Sequence, residues 1–370
     1  MPSASRSALI DCTKAVACAA IVAHHLAFYG PLPQLVAQAA PGLMAALVDY
    51  ARMAVQVFLV LAGYLAAASL APQGSARFGA PAAKIGQRFV RLVVPYAVAL
   101  VVVIATSAAV RPWFDDPAVS PDPDLPQLLA HALLLHGVAG EESLSAGVWY
   151  VAIDFQLFAL TVLLLAGVRA MVPPALRARA GQALVVVLTA ASLLVFNRDA
   201  DWDVWATYFF GAYGLGLLAW WAAHAERRES RAWLLLMAAL VATALALDWR
   251  GRIALAGATA LALAGLMRLP AVARWQGLAP LRWLGQVSYS VFLVHFAVCL
   301  LVNALVSNLW PDSVPAAAVG LLVGFALSLL AGWLLYQRVE RHVPTWHKAL
   351  RWQLGLVGAG LATALLAALR

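Results

Sequence analysis

The chain of 370 residues is 64% hydrophobic and 11% charged, with a formal net charge of +8, where a soluble domain averages about 45–50% apolar and about 25% charged. This composition excludes a water-soluble globular protein and identifies an integral membrane protein whose apolar surface faces lipid. The positive charge is then a signal of topology and of contact with lipid headgroups, and no stretch points to a nucleic-acid partner.

At about 20 apolar residues per crossing, the sequence predicts an all-α, polytopic helical membrane protein of about eleven transmembrane helices. They fall near residues 8–29, 50–71, 89–110, 147–171, 181–196, 204–223, 231–247, 251–268, 285–307, 315–337 and 350–369. Only Arg6 precedes the first apolar run, which is too long for a signal-peptide core and lacks an A-x-A exit, so it is expected to stay as span one. With the N-terminus cytoplasmic, the inner segments hold eighteen Lys and Arg residues and the outer segments six, the latter being Arg52, Arg111, Arg198, Arg250, Arg252 and Arg370. Cytoplasmic loops collect basic residues, so the bias predicts a periplasmic or extracellular C-terminus. The outer loops are acidic, as in "WFDDPAVSPDPDLP" and "NRDADWD".

Span one, "LIDCTKAVACAAIVAHHLAFYG", carries Asp11, Lys14, His24 and His25. Each charge costs roughly 2.5–3.5 kcal/mol at a helix centre even on the lenient insertion scale. At about 100° per residue, the steps from Lys14 to His25 amount to three turns and roughly 20°, so both share one face roughly 16 Å apart, while His24 is turned roughly 80° away. Asp11 lies one turn below Lys14, within reach for pairing. The result is a polar seam of the kind that lines a bundle interior or an aqueous cavity. The plainer alternative is a pair of interface residues below a satisfied rim histidine. Cys12, Cys18 and Cys299 sit in apolar stretches, with no disulfide framework and no metal site in view. The connection 111–146 includes "LPQLLAHALLLHGV", too short to span and expected as a re-entrant or interfacial helix. Tryptophans such as Trp149, Trp202, Trp310 and Trp346 lie near span ends, the positions of an interfacial belt.

Four further stretches follow in order: "FLVLAGYLAA" in span two, "KIGQRFVRLVVPY" leading into span three, "VWYVAIDFQLFAL" in span four and "LGQVSYSVFLVHF" in span nine. Together with span one they resemble the acyltransferase-3 family of integral membrane O-acyltransferases, over residues 8 to about 345. Lys14 and His25 match the family's basic residue, ten residues, then histidine. Phe58 and Gly63 match its "FFxxSG", with Ala62 in place of the serine, and Arg88, Arg91 and Pro95 match "RxxRLxP". Trp149, Tyr150, Asp154 and Phe158 stand for "WSLxxExxFY", with Asp for Glu and Tyr for Ser. Ser288, Tyr289, Phe292, Leu293 and His295 match "SYxxYLxH".

The resemblance implies a ten-helix core over residues 1–345 and an additional C-terminal transmembrane helix over 346–370, the stand-alone form without an esterase-like domain. It implies transfer of an acyl group, acetyl above all, from cytoplasmic acyl-CoA to a hydroxyl of a lipid-linked or exported cell-surface glycan, in a bacterial inner membrane. Acyl-CoA is the donor substrate, and no bound cofactor is expected. An alcohol is a poor nucleophile at neutral pH and needs a base, for which histidine is suited. His25 is the candidate, either as base or as acyl carrier. Asp154 would orient it, or would pair with Lys14 or a buried backbone group. Arg88 and Arg91, three residues apart at the inner boundary, form a phosphate clamp for coenzyme A or simply obey topology. His295, behind "SYS", faces the cavity or packs. Asp11, His24, Trp149, Tyr150, Ser288 and Tyr289 complete the expected cavity. The alternative functions are a glycan or lipid transporter or flippase, and a non-catalytic member of a glycan-synthesis complex. The acceptor sugar and the oligomeric state are not legible.

Overall fold

A computed structural model describes residues 7–369, so Arg6 and Arg370, which entered the loop tally, lie outside the described residues. No strand occurs among the described residues. The helices are, in chain order, α1 (Ala8–Phe28), α2 (Leu32–Ala39), α3 (Pro41–Asp49), α4 (Val55–Leu70), α5 (Pro81–Val110), α6 (Leu125–Ala132), α7 (His136–Ala139) and α8 (Val148–Met171), then α9 (Arg177–Leu194), α10 (Ala206–His224), α11 (Arg227–Leu247), α12 (Gly251–Leu266), α13 (Pro270–Arg274), α14 (Ala279–Leu309), α15 (Val314–Leu335) and α16 (Trp346–Ala368). Hydrocarbon offers the backbone no partner, so each crossing must close its own hydrogen bonds, and a helix is the one single-segment solution.

Nine helical segments among the described residues are long and apolar enough to cross a membrane. The expectation was about eleven, and the two remaining expected spans coincide with α10, of 19 residues, and α12, of 16. At about 1.5 Å per residue α12 extends only about 24 Å, short of a hydrocarbon core about 30 Å thick. The expected second span is the tail of a longer segment, Pro41–Leu70, in which α3 and a 3-10 turn lead into α4.

The described chain divides into two compact units. The first comprises the start of α1 through Thr13, Val55–Arg88 and Ile153–Leu278. Its axis is α10, buried nearly all round, which is the signature of a helix enclosed by others. α4 and α10 approach until their backbones touch. A Cβ on Gly63 would sit 1.8 Å from the Tyr213 carbonyl oxygen, and one on Gly216 would sit 2.0 Å from that of Val60. Small residues are what permit such packing where lipid offers no hydrophobic drive between helices. Gly63, one of the motif glycines, is therefore a packing residue.

The second unit comprises Lys14–Ala54, Phe89–Ala152 and the chain from Ala279 onward. One of its cores gathers Ala27 of α1, Leu32 and Val36 of α2, Met44 of α3, Val302 of α14 and Ala317 of α15. The turn that ends α1 depends on Gly30, which has a φ of +84° and whose added Cβ would lie 2.3 Å from Asn303 Oδ1. That same oxygen accepts from the Leu32 backbone N–H at 3.2 Å, capping α2. α1 is thereby tied to α14 just beyond its histidines.

The segment expected as one re-entrant or interfacial helix is two short ones, α6 and α7, broken at Leu133–Leu135, where Leu134 has a φ of +58°. Asp124 caps α6 by accepting from the Gln127 N–H at 2.8 Å. His131 and His136 stack with ring centroids 4.2 Å apart, both buried. Burial pulls the His131 imidazole down to about 4 and that of His136 to about 3, the latter also through its neighbour, so both rings are neutral at physiological pH.

The loop charges generate a labelling test. Asp115 and Ala80 are exposed, and the three native cysteines are buried, so they will not obscure introduced thiols. With the N-terminus inside, an impermeant maleimide added to intact cells will modify Asp115→Cys and spare Ala80→Cys until the membrane is opened. The opposite pattern reverses the orientation.

Candidate active site

In the second unit, the last turn of α1 delivers His25 to α14. Its Nδ1 lies 2.6 Å from His295 Nε2, with the rings nearly parallel at 6° and their centroids 4.9 Å apart. His25 is 9% exposed and His295 is fully buried. Tyr29 packs against His25 at 5.5 Å and against Phe296 at 5.1 Å, closing one side of the pair. His24, one residue earlier, is turned elsewhere, with its Nδ1 donating to or facing the Leu47 carbonyl of α3 at 3.2 Å. The roughly 100° step between successive helix residues separates the two imidazoles onto different neighbours. Asp11 is buried and Lys14 half-buried on the same helix.

The other "SYxxYLxH" residues serve the helix packing around this pair. Tyr289 donates its hydroxyl to the Leu92 carbonyl at 3.0 Å, in the turn of α5 that precedes Pro95. Ser288 donates back to the Gly285 carbonyl of its own helix at 3.0 Å. Tyr150 meets Phe292 edge-on at 5.4 Å, and Trp149 is exposed over 37% of its surface.

In the first unit, α5 and α8 meet through an ion pair. Arg88 Nη2 donates to Asp154 Oδ2 at 2.5 Å, and the Arg88 guanidinium lies 5.4 Å from the centre of the Phe158 ring. Asp154 is 6% exposed and Arg88 33%. The carboxylate expected to orient His25, or to pair with Lys14, is held by one of the two arginines expected to clamp phosphate. The imidazole beside His25 is another histidine. Arg91, one turn further along α5, is exposed.

The sequence profile of a family described as an acyltransferase domain, Acyl_transf_3, matches residues 8–337. The chain belongs to the acyltransferase-3 family. No curated protein and no solved structure matches it. The profile spans every motif residue described above, from Lys14 to His295, and stops short of α16. An acyltransferase-3 protein with this architecture is an integral membrane acyltransferase, and the histidines and the ion pair are its candidate functional groups. Among the described residues no group of three or more His, Cys, Asp or Glu is placed to hold a metal ion.

One residue escaped the sequence reading. Glu340, in a π-helical turn that extends α15, accepts from the buried Ser290 hydroxyl at 2.6 Å. The signal was present as a lone acid in "QRVERH", read only for its flanking arginines, and π turns recur at functional positions.

The Arg88–Asp154 pair generates a prediction about stability. Removing one partner of a buried pair costs about 3–5 kcal/mol, and here the loss will be smaller because a third of Arg88 is solvated. Arg88→Ala and Asp154→Ala will each lower the unfolding midpoint in detergent, and the double variant will lose less than the sum. Strictly additive losses would show that the pair contributes no coupling.

Proposed function

We propose that this acyltransferase moves an acetyl group from cytoplasmic acetyl-CoA to a hydroxyl of a lipid-linked or exported cell-surface glycan, with His25 as the general base. The observation that carries the proposal is the buried His25–His295 pair, hydrogen-bonded at 2.6 Å at the end of the helix that also holds Lys14. A neutral imidazole held in place by a fixed partner takes a proton from an alcohol more readily than bulk water does, because it is positioned for the transfer. The glycan hydroxyl supplies the nucleophile, and the thioester supplies an activated carbonyl and a good leaving group.

Arg88 and Arg91, three residues apart on α5, are the proposed holders of the coenzyme A phosphates, since guanidinium groups bind phosphate through paired, charge-assisted hydrogen bonds. The charge bias of the loops supports placing these arginines at the cytoplasmic face of a bacterial inner membrane. The polar positions of α1, from Asp11 and Lys14 to His25, then run from that face toward the outer leaflet, where an exported glycan is within reach.

Purified protein in proteoliposomes, supplied with acetyl-CoA and the glycolipid fraction of the source cell, will release free thiol in parallel with acetylation of that fraction. His25→Ala will lower this rate by about 10²–10⁴, the usual loss for a positioned general base, and His24→Ala will retain substantial activity because its ring contacts α3 instead. An active His25→Ala variant beside an inactive His24→Ala variant would sink the assignment. A wild-type protein that leaves the thioester intact while moving the glycolipid would favour a transporter.

A further inference from the structure

His295 has two partners besides His25, and they decide where the protons are. Its Nδ1 lies 2.8 Å from the Phe292 carbonyl oxygen and 3.2 Å from that of Val291. Carbonyl oxygens only accept, so a bare Nδ1 would set lone pair against lone pair; Nδ1 must carry a proton. An ionised imidazole shut in the bundle would be expensive, so in the resting pair each ring carries one proton. The second nitrogen of His295, Nε2, is therefore bare, and it is the atom 2.6 Å from His25 Nδ1. His25 Nδ1 must then be the donor. That leaves the lone pair of His25 on Nε2.

We infer that His295 is a positioning residue that locks His25 in the Nδ1-protonated tautomer and so makes His25 Nε2 the basic atom of the site. The chain runs from the Phe292 carbonyl to His295 Nδ1–H, from His295 Nε2 to His25 Nδ1–H, and ends at the free Nε2. It fills the place that a carboxylate fills in the more familiar hydrolase arrangement, with a backbone carbonyl as the anchor and a neutral ring as the intermediary. The inference rests on the reading of His25 as the base and names the atom that acts. In the reaction, Nε2 takes the proton of the acceptor hydroxyl as its oxygen forms a bond to the thioester carbonyl carbon. The tetrahedral intermediate collapses with cleavage of the C–S bond, and Nε2 returns the proton to the departing thiolate. The imidazolium that exists between these events keeps its Nδ1–H on His295 Nε2. No net proton, electron or charge is left behind.

The arrangement also constrains variants. Glutamine at position 295 can present an amide oxygen to His25 Nδ1–H; leucine fills similar space and presents nothing. In proteoliposomes with acetyl-CoA and the glycolipid fraction, His295→Leu will lower kcat by about 10²-fold or more while KM for acetyl-CoA changes by less than about twofold. His295→Gln will stay within about tenfold of wild type, since its acceptor restores the tautomer. Nitrogen-15 spectra of histidine-labelled protein read the tautomer directly. Wild type and His295→Gln will show His25 protonated on Nδ1 alone, and His295→Leu will show both tautomers. The wild-type spectrum needs no variant to fold, and a His25 protonated on Nε2 would overturn the inference. So would a His295→Leu enzyme with unchanged kcat and an unchanged spectrum. Failure of the base reading is separable from this: an active His25→Ala variant would remove His25 from the chemistry while the spectrum continued to report its tautomer.

Discussion

A neutral imidazole buried among membrane helices has two ring nitrogens to satisfy and little solvent to satisfy them. Most of what is distinctive about this chain follows from how His25 meets that requirement. One nitrogen is committed to His295 at 2.6 Å, which commits the end of α1 to the middle of α14. The supporting contacts act on the same junction. Asn303, two turns beyond His295 on α14, caps α2 and fills the space that Gly30 leaves open, and Tyr29 wedges between His25 and Phe296. The second nitrogen is the one proposed to act as the base.

The Arg88–Asp154 pair answers a similar requirement differently. A carboxylate that is 6% exposed needs a cation, and Arg88 supplies one across α5 and α8 while part of its own surface stays solvated. The histidine pair brings two neutral groups together with no net charge to bury. The ion pair keeps two charges apart from hydrocarbon by neutralising them locally. The family to which the chain belongs, matched over residues 8–337, is one of acyltransferases, and both pairs are proposed to serve that reaction.

Much of the fold was legible because hydrocarbon thickness sets helix length, and runs of about 20 apolar residues mark the crossings. α10 and α12 fall at expected spans, yet α12 is too short to cross by length alone, because run length reports composition and not where the chain caps itself. The spacing that set Lys14 and His25 on one face, with His24 off it, needed only the pitch of a helix. Partners were not legible in the same way. His25 and His295 are 270 residues apart, and Arg88 and Asp154 are 66 apart, so neither pairing follows from local periodicity. Asp154, as an acid inside a span, was a natural candidate to orient the histidine; its ion pair with Arg88 is a contact that the sequence reading did not name. Glu340 was hidden among basic neighbours whose charge answered a different question.

The central claim is that this membrane protein acylates a glycan through His25. The most direct measurement is mass spectrometry of surface glycans from the source cell, compared between the parent, a deletion strain, and the deletion strain carrying either the wild-type chain or His25→Ala. The account predicts an acyl modification in the parent that disappears on deletion, returns with the wild-type chain and does not return with His25→Ala. Glycans identical in all four strains would contradict it.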